Sequence, residues 1–247
     1  VEKALKGGVT LVQLREKTLD EAAFEKEGQE LLELCHHYNV PLIINDNVEL
    51  AKKIHADGVH IGQSDMEIKN ARELLGADKI IGVTAKTIEQ AKAAETAGAD
   101  YLGSGAVFGT STKADAKPME LDLFQEICES VTIPVVAIGG INADNVLRLK
   151  GRKMAGTAVV SGIFACEDIE KGTKELLEKL LIEEPTDKSI YNKMTKYFTI
   201  HVENNLCNIW SEHYGTEMVI DIISDANIEF FKQVMKQYHE SFSIRMS

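Results

Sequence analysis

Short runs rich in valine and isoleucine recur along the first two-thirds of the chain. Between them lie longer stretches in which apolar residues return every three or four positions. The runs at residues 10–14, 41–45, 58–62, 79–84, 101–105, 134–138 and 156–161 are nearly continuous in apolar character, and this predicts strands of a parallel sheet covered on its outer face. The stretches at 20–38, 66–75, 88–97, 122–130 and 168–180 predict amphipathic helices, the first with Phe24, Leu31, Leu34 and Cys35 at helical spacing. Strand–helix units of roughly 20–30 residues imply right-handed crossovers, and hence a doubly wound sheet or a barrel. Ala56-Asp57-Gly58 and Gly98-Ala99-Asp100 supply short helix-to-strand turns of the kind barrels use. An opening helical fragment, residues 1–6, precedes seven strands, whereas a closed (β/α)8 barrel has eight. The expectation is an α/β fold: a TIM (β/α)8-type barrel lacking its first strand, with the missing strand preceding residue 1.

The pattern changes near residue 182. Of the 18 glycines, 17 precede that point, while nine of the 15 aromatic residues follow it, so the two parts of the chain are built differently. The polar stretch Glu183-Glu184-Pro185-Thr186-Asp187 reads as a linker. Residues 1–182 form the barrel-like unit, and residues 183–247 form a small α+β or irregular extension of unknown function. The extension carries strand-like runs at 197–202 and 218–223, then a helix over 227–242 capped by Asp225 or Asn227. A lesser alternative places residues 196–202 in the vacant first-strand position, as in a permuted barrel.

Charge narrows the partners. A net charge of −12 argues against a nucleic-acid polyanion, but small phosphorylated ligands need only a local cluster of donors. No run reaches the ~18–20 apolar residues of a membrane span, and the start has no apolar signal region. Because Val1 is not Met, the chain is expected to begin inside a longer reading frame. Cys35, Cys128, Cys166 and Cys207 are far apart and form no CxxC, as expected of reduced thiols in a cytoplasmic protein.

In a parallel barrel, functional groups gather where strands end. The first strand runs into Gln13, Arg15 and Lys17, alternate donors on one side, suited to a polyphosphate or else to a solvated strand end with a Glu–Lys pair. Asp46 and Asp65 follow the next two strands, with Asn45 and Gln63 beside them; they suit Mg²⁺, or else cap the helices that come next. His60 lies in an apolar run and reads as a packed or hydrogen-bonded histidine. His36 and His37 end a helix, where cations suit the dipole. Residues 108–118, rich in hydroxyls and lysine, read as a phosphate-binding lid or an ordinary polar loop. Gly139-Gly140 and Ser161-Gly162 close the last two strands, where barrels commonly seat a phosphate. The sum is a mouth with a metal-bound diphosphate on one side and a monophosphate on the other, held by Thr110, Thr112, Gly140 and Ser161. No Ser–His–Asp or Cys–His grouping points to a covalent intermediate. Such a site favours transfer between two phosphorylated small molecules, driven by positioning and electrostatics.

The segments 8–17, 44–46, 60–65, 103–113 and 137–141 together resemble thiamine phosphate synthases, in unbroken order over residues 1–182. The resemblance implies a transferase that joins hydroxymethylpyrimidine diphosphate to thiazole phosphate, releasing diphosphate. It implies that Gln13, Arg15, Lys17, Asn45 and Lys113 grip the diphosphate, with Arg15, Lys17 and Lys113 the charges that carry catalysis. It also implies that Asp46 and Asp65 hold Mg²⁺, that Thr84 faces the pyrimidine, and that Thr110, Thr112, Gly140, Val160 and Ser161 bind the thiazole's phosphate. Many family members carry proline at one or both of positions 106 and 109, where this chain has Ala106 and Gly109. The alternatives are a thiazole tautomerase-like isomerase of the same fold, or a non-catalytic phosphate-binding or interaction protein.

Overall fold

A computed structural model describes residues 1–109 and 118–181, all within the first of two units of the chain, Val1–Glu184. The elements expected at 197–202, 218–223 and 227–242, and the placement of 196–202 in a barrel, lie outside the described residues. The order is α1 (Glu2–Lys6), β1 (Val12–Leu14), α2 (Glu21–His37), β2 (Leu42–Asn45), α3 (Val48–Lys53), β3 (Gly58–Ile61), α4 (Ile68–Leu75), β4 (Ile80–Thr84), α5 (Ile88–Thr96) and β5 (Tyr101–Gly105). Then follow α6 (Leu121–Ser130), β6 (Val135–Ile138), a 3₁₀ turn (Val146–Leu149), β7 (Gly156–Ala158), α7 (Ser161–Phe164) and α8 (Ile169–Leu181). All seven predicted strands form, pair in parallel, and lie in chain order β1 to β7 in one sheet. One expectation is corrected. The last strand stops at Ala158, and Ser161 opens a helical turn instead. The short helix α3 completes too few turns for its periodicity to stand out in the sequence.

Alternation along each strand sorts the residues into two layers. Leu42 and Ile44, Val59 and Ile61, Ile81 and Val83, Leu102, Val135 and Ala137 join one buried apolar cluster with Ala51, Ala71, Ala91, Phe124 and Ile127 of the helices. The opposite face carries Gln13, Ile43, Asn45, His60, Gly82, Thr84, Tyr101 and Gly103. In a flat sheet, β1 and β5 would stand about 19 Å apart, four strand spacings. Gln13 nevertheless lies near enough to the Tyr101 phenol to act on it, so the sheet curls and this second face becomes an interior. The helices on its outside meet as well: a Cβ on Gly7, just after α1, would lie 2.5 Å from the Thr173 Cβ of α8. Among the described residues β1 and β7 are the two ends of the sheet.

The helix-to-strand turns owe their geometry to their aspartates. Asp57 accepts the Leu42 backbone N–H at 2.8 Å and returns its own N–H to the Leu42 carbonyl oxygen at 3.0 Å. Asp100 repeats the arrangement two repeats further on, with the Ile81 N–H at 2.7 Å and the Ile81 oxygen at 2.8 Å. Arg72 braces Asp100 at 2.6 Å and His36 braces Asp57 at 2.9 Å. Each turn is thus pinned to the preceding strand. Asp100→Ala leaves the part-buried Ile81 N–H without its acceptor and is expected to cost about 1–3 kcal/mol. Urea unfolding of the variant measures the loss, and an unshifted midpoint would show that the turn holds itself.

Candidate active site

Every strand delivers its carboxyl end to one rim, so the polar residues placed there by the sequence converge. Gln13, Arg15 and Lys17 stand exposed on alternate positions as β1 runs out. The Glu–Lys pair offered as their bland alternative takes another form. Glu16 Oε1 accepts the backbone N–H groups of Lys17 and Thr18 and the Thr18 hydroxyl, at 2.5–2.7 Å. Those bonds, the Thr18 N–H foremost, pull the Glu16 carboxyl down to about 2 and leave it turned toward the backbone.

The two aspartates do not cap helices. The N-cap of α3 is Asn47, which accepts the Leu50 N–H at 2.9 Å, and the N-cap of α4 is Glu67. Asp46 instead adopts a left-handed backbone, φ 62°, while its N–H binds the His60 carbonyl oxygen of the adjacent strand at 2.8 Å. Asp65 folds back to accept the Gly62 N–H at 2.6 Å. The two carboxyls come within hydrogen-bonding reach, and Asp46 is raised above the usual carboxylate range, first by desolvation at the strand ends and then by Asp65. Asn45 and Arg15 act in the other direction on the same carboxyl, so the basic and acidic clusters of the mouth are neighbours. Gln63 points elsewhere: its amide donates to the Thr84 carbonyl oxygen at 2.6 Å, tying the β3 loop to the end of β4.

His60 is packed, as its apolar run predicts, and only 7% exposed. Its Nδ1 lies 2.8 Å from Tyr101 Oη and its Nε2 lies 3.0 Å from Thr84 Oγ1. Burial pushes the imidazole down to about 4, with Asp65 opposing, so it is neutral at pH 7. Tyr101 was not singled out by motif. Register contains its signal, since Gly82 faces Tyr101 across β4–β5 and a Cβ there would sit 2.1 Å from the phenol ring. Gly103 makes the same allowance for His60, at 2.9 Å from its Cε1. Two glycines on inward positions therefore exist to seat two rings.

On the other side of the mouth, Gly139 and Gly140 turn with φ 102° and 65°, and the Asn145 side chain holds the Gly140 carbonyl oxygen at 2.8 Å. The backbone N–H groups of Val107 and Phe108 bind the oxygens of Ile138 and Gly139, so the loop after β5 is rooted on this turn. Arg148 stacks over the Phe108 ring at 5.1 Å. Exposed Val160 and Ser161 open α7, and Gly162 packs so closely that a Cβ would lie 2.3 Å from the Ile141 oxygen. The two glycine-bearing turns are therefore adjacent, as predicted. Thr110, Thr112 and Lys113 lie outside the described residues.

Fold and site together define a parallel α/β protein of the TIM-barrel type, with a polar, charged mouth at the carboxyl ends of its strands. Residues 1–163 match the family profile described as Thiamine monophosphate synthase, and the chain belongs to that family. The thiamine-phosphate synthase of Fusobacterium nucleatum is 48% identical over 178 residues, which are 72% of this chain and 86% of that protein. That of Clostridium acetobutylicum is 49% identical, over 72% of this chain and 84% of the relative. Among solved structures, thiamine phosphate pyrophosphorylase from Pyrococcus furiosus superposes with a TM-score of 0.68 at 40% identity, over 72% of this chain and 86% of that one. A 3-hexulose-6-phosphate synthase, 16% identical with a TM-score of 0.56, shares the fold.

Proposed function

We propose that the chain condenses hydroxymethylpyrimidine diphosphate with thiazole phosphate, giving thiamine phosphate and diphosphate. Membership of the family and near 50% identity to thiamine-phosphate synthases support the reaction. The observation that carries it to this site is the meeting of Arg15 with the Asp46–Asp65 pair on one rim. Two carboxyls in hydrogen-bond reach raise each other's cost of ionising, and a divalent cation relieves it. Among the described residues no group of three or more metal-binding side chains exists. A two-carboxylate site suits Mg²⁺, which keeps several waters and takes substrate phosphate oxygens as its remaining ligands. Asp46 and Asp65 would hold it, and when bound it would neutralise charge on the diphosphate.

In this reading Arg15 and Lys17 stabilise the departing diphosphate, with Gln13 and Asn45 orienting it and Lys113 completing the grip. Departure breaks the bond between the pyrimidine's methylene carbon and the diphosphate oxygen. The electron pair leaves with that oxygen, and the thiazole nitrogen supplies the pair for the new bond. Thr84 faces the pyrimidine, while Thr110, Thr112, Gly140, Val160 and Ser161 position the thiazole's phosphate. The tautomerase alternative needs a free base, and both ring nitrogens of His60 are occupied. The same proposal reads the sheet as an eight-position barrel with one position unfilled among the described residues, in a cytoplasmic enzyme working on small phosphorylated substrates. Among the described residues no helix is long and apolar enough to cross a membrane.

The test is product formation from the two purified substrates, with Mg²⁺ and with chelator. Thiamine phosphate that forms with Mg²⁺ and disappears on chelation is the expected result. A folded sample that forms none would overturn the reaction, and product indifferent to chelation would overturn the metal.

A further inference from the structure

The turn after β6 is made of Gly139 and Gly140, at φ 102° and 65°. Glycine has almost no conformational preference of its own, so the shape of this turn has to be imposed from outside. Two hydrogen bonds impose it. The Phe108 N–H donates to the Gly139 carbonyl oxygen at 3.1 Å, and Asn145 Nδ2 donates to the Gly140 carbonyl oxygen at 2.8 Å. The other half of the same amide is engaged too, because Asn145 Oδ1 accepts the Asn142 N–H at 3.0 Å. Its orientation is unambiguous: a backbone N–H only donates and a carbonyl oxygen only accepts, so one placement of the amide satisfies both. A trans peptide sets its N–H opposite its carbonyl. With the oxygens of Gly139 and Gly140 held, the N–H groups of Gly140 and Ile141 are turned away from those two anchors.

Asn145 itself is carried on a braced element. It opens the 3₁₀ turn Val146–Leu149, in which Val146 and Leu149 are fully buried. Just before it, the Ala143 carbonyl oxygen accepts from Lys179 of α8 at 2.8 Å, and the Asp144 N–H is held by Asn142 Oδ1 at 2.9 Å. The turn has no slack on its other side, where a Cβ on Gly140 would lie 2.2 Å from the Gly109 carbonyl oxygen.

We propose that Asn145 is a positioning residue for the monophosphate, holding the Gly140–Ile141 peptide so that the N–H side of the turn faces the thiazole's phosphate. This rests on the synthase reading above, which seats that phosphate at Gly140, and adds the side chain that sets the geometry there. Released from Asn145, a glycine lets the peptide that follows it turn over. A carbonyl oxygen then faces the anion in place of an N–H.

The experiment compares Asn145→Ala, which removes both halves of the amide, with Asn145→Asp, which keeps the acceptor for Asn142 and loses the donor to Gly140. Thermal melts establish that each variant is folded. Both are expected to raise KM for thiazole phosphate roughly tenfold, the worth of one neutral hydrogen bond, with KM for the pyrimidine diphosphate unchanged. If Asn145 served only to start the 3₁₀ turn, aspartate would do so equally well, and wild-type kinetics in Asn145→Asp would overturn the proposal. Wild-type kinetics in Asn145→Ala beside a weakened Asn145→Asp would reduce the effect to added negative charge, and overturn it too. So would two KM values that move together, the mark of a side chain that merely supports the fold. A second readout is independent of turnover. The Gly140 and Ile141 amide resonances of the wild type are expected to shift as inorganic phosphate is added, and to stop responding in both variants. Amides that ignore phosphate in the wild type, or respond equally in the variants, overturn the positioning role while the synthase reading stands. A folded wild-type chain that makes no thiamine phosphate overturns the synthase reading, and the amide shifts then decide by themselves whether Asn145 shapes an anion-binding turn.

Discussion

Arg15→Ala is expected to cut turnover by about 10²–10³-fold while the fold survives, because the guanidinium works on charge that develops in the transition state. Arg15 stands exposed at the end of β1, so its removal opens no cavity. Its influence is on the site: desolvation and Asp65 raise the Asp46 carboxyl, and the Arg15 charge partly opposes them. Without it the leaving diphosphate loses a two-pronged donor, and the carboxylate pair becomes harder to ionise. Arg15→Lys keeps the charge and loses the fork, and should fall between the two. Steady-state kinetics beside a thermal melt decides the matter. Kinetics within about threefold of wild type would remove Arg15 from the machinery.

A second large effect concerns stability and acid. His60 titrates near 6.5 when the chain is unfolded and is pushed down to about 4 in the fold by burial. Between those values the unfolded chain binds a proton that the folded chain refuses, so stability rises with pH across this window and falls as acid is added. Each pH unit separating the two values is worth ~1.4 kcal/mol, so the loss attributable to His60 approaches about 3 kcal/mol at the acid end. Urea unfolding across the window, compared with His60→Asn, isolates the contribution, since the variant has nothing to titrate there. The gap between the two proteins should narrow steadily from pH 6.5 toward 4. Parallel curves would mean that the buried imidazole accepts its proton without penalty.

These two residues illustrate what was legible along the chain and what was not. Arg15 could be found because a strand ending is a local event: alternation puts Gln13, Arg15 and Lys17 on one side whatever the rest of the molecule does. Asp46 and Asp65 were visible as residues but ambiguous in role, since an aspartate before a helix caps it as readily as it binds a cation. The structure removes the capping role, because Asn47 and Glu67 occupy the cap positions themselves. Tyr101 had no motif. Its meaning depends on the partners set opposite it by β-sheet register, and register joins residues 19 and 41 positions apart in the chain, Gly82 and His60.

By itself the sequence determined the class of fold, the number and order of the parallel strands, and which rim would hold the chemistry. Each of those follows from periodicity, turn residues and the end of a strand, all written within a few neighbouring positions. Only the tertiary structure decided how the sheet curls, that Gln13 and Tyr101 meet across its interior, and that Gly82 and Gly103 are absences shaped to two rings. It also folded the Glu16 carboxyl back onto the Lys17 and Thr18 backbone N–H groups and brought the two aspartates within reach of each other. The physical reason is distance: hydrogen bonds and excluded volume act over a few ångströms in space, and segments far apart in the chain come within that range only once the sheet has curled.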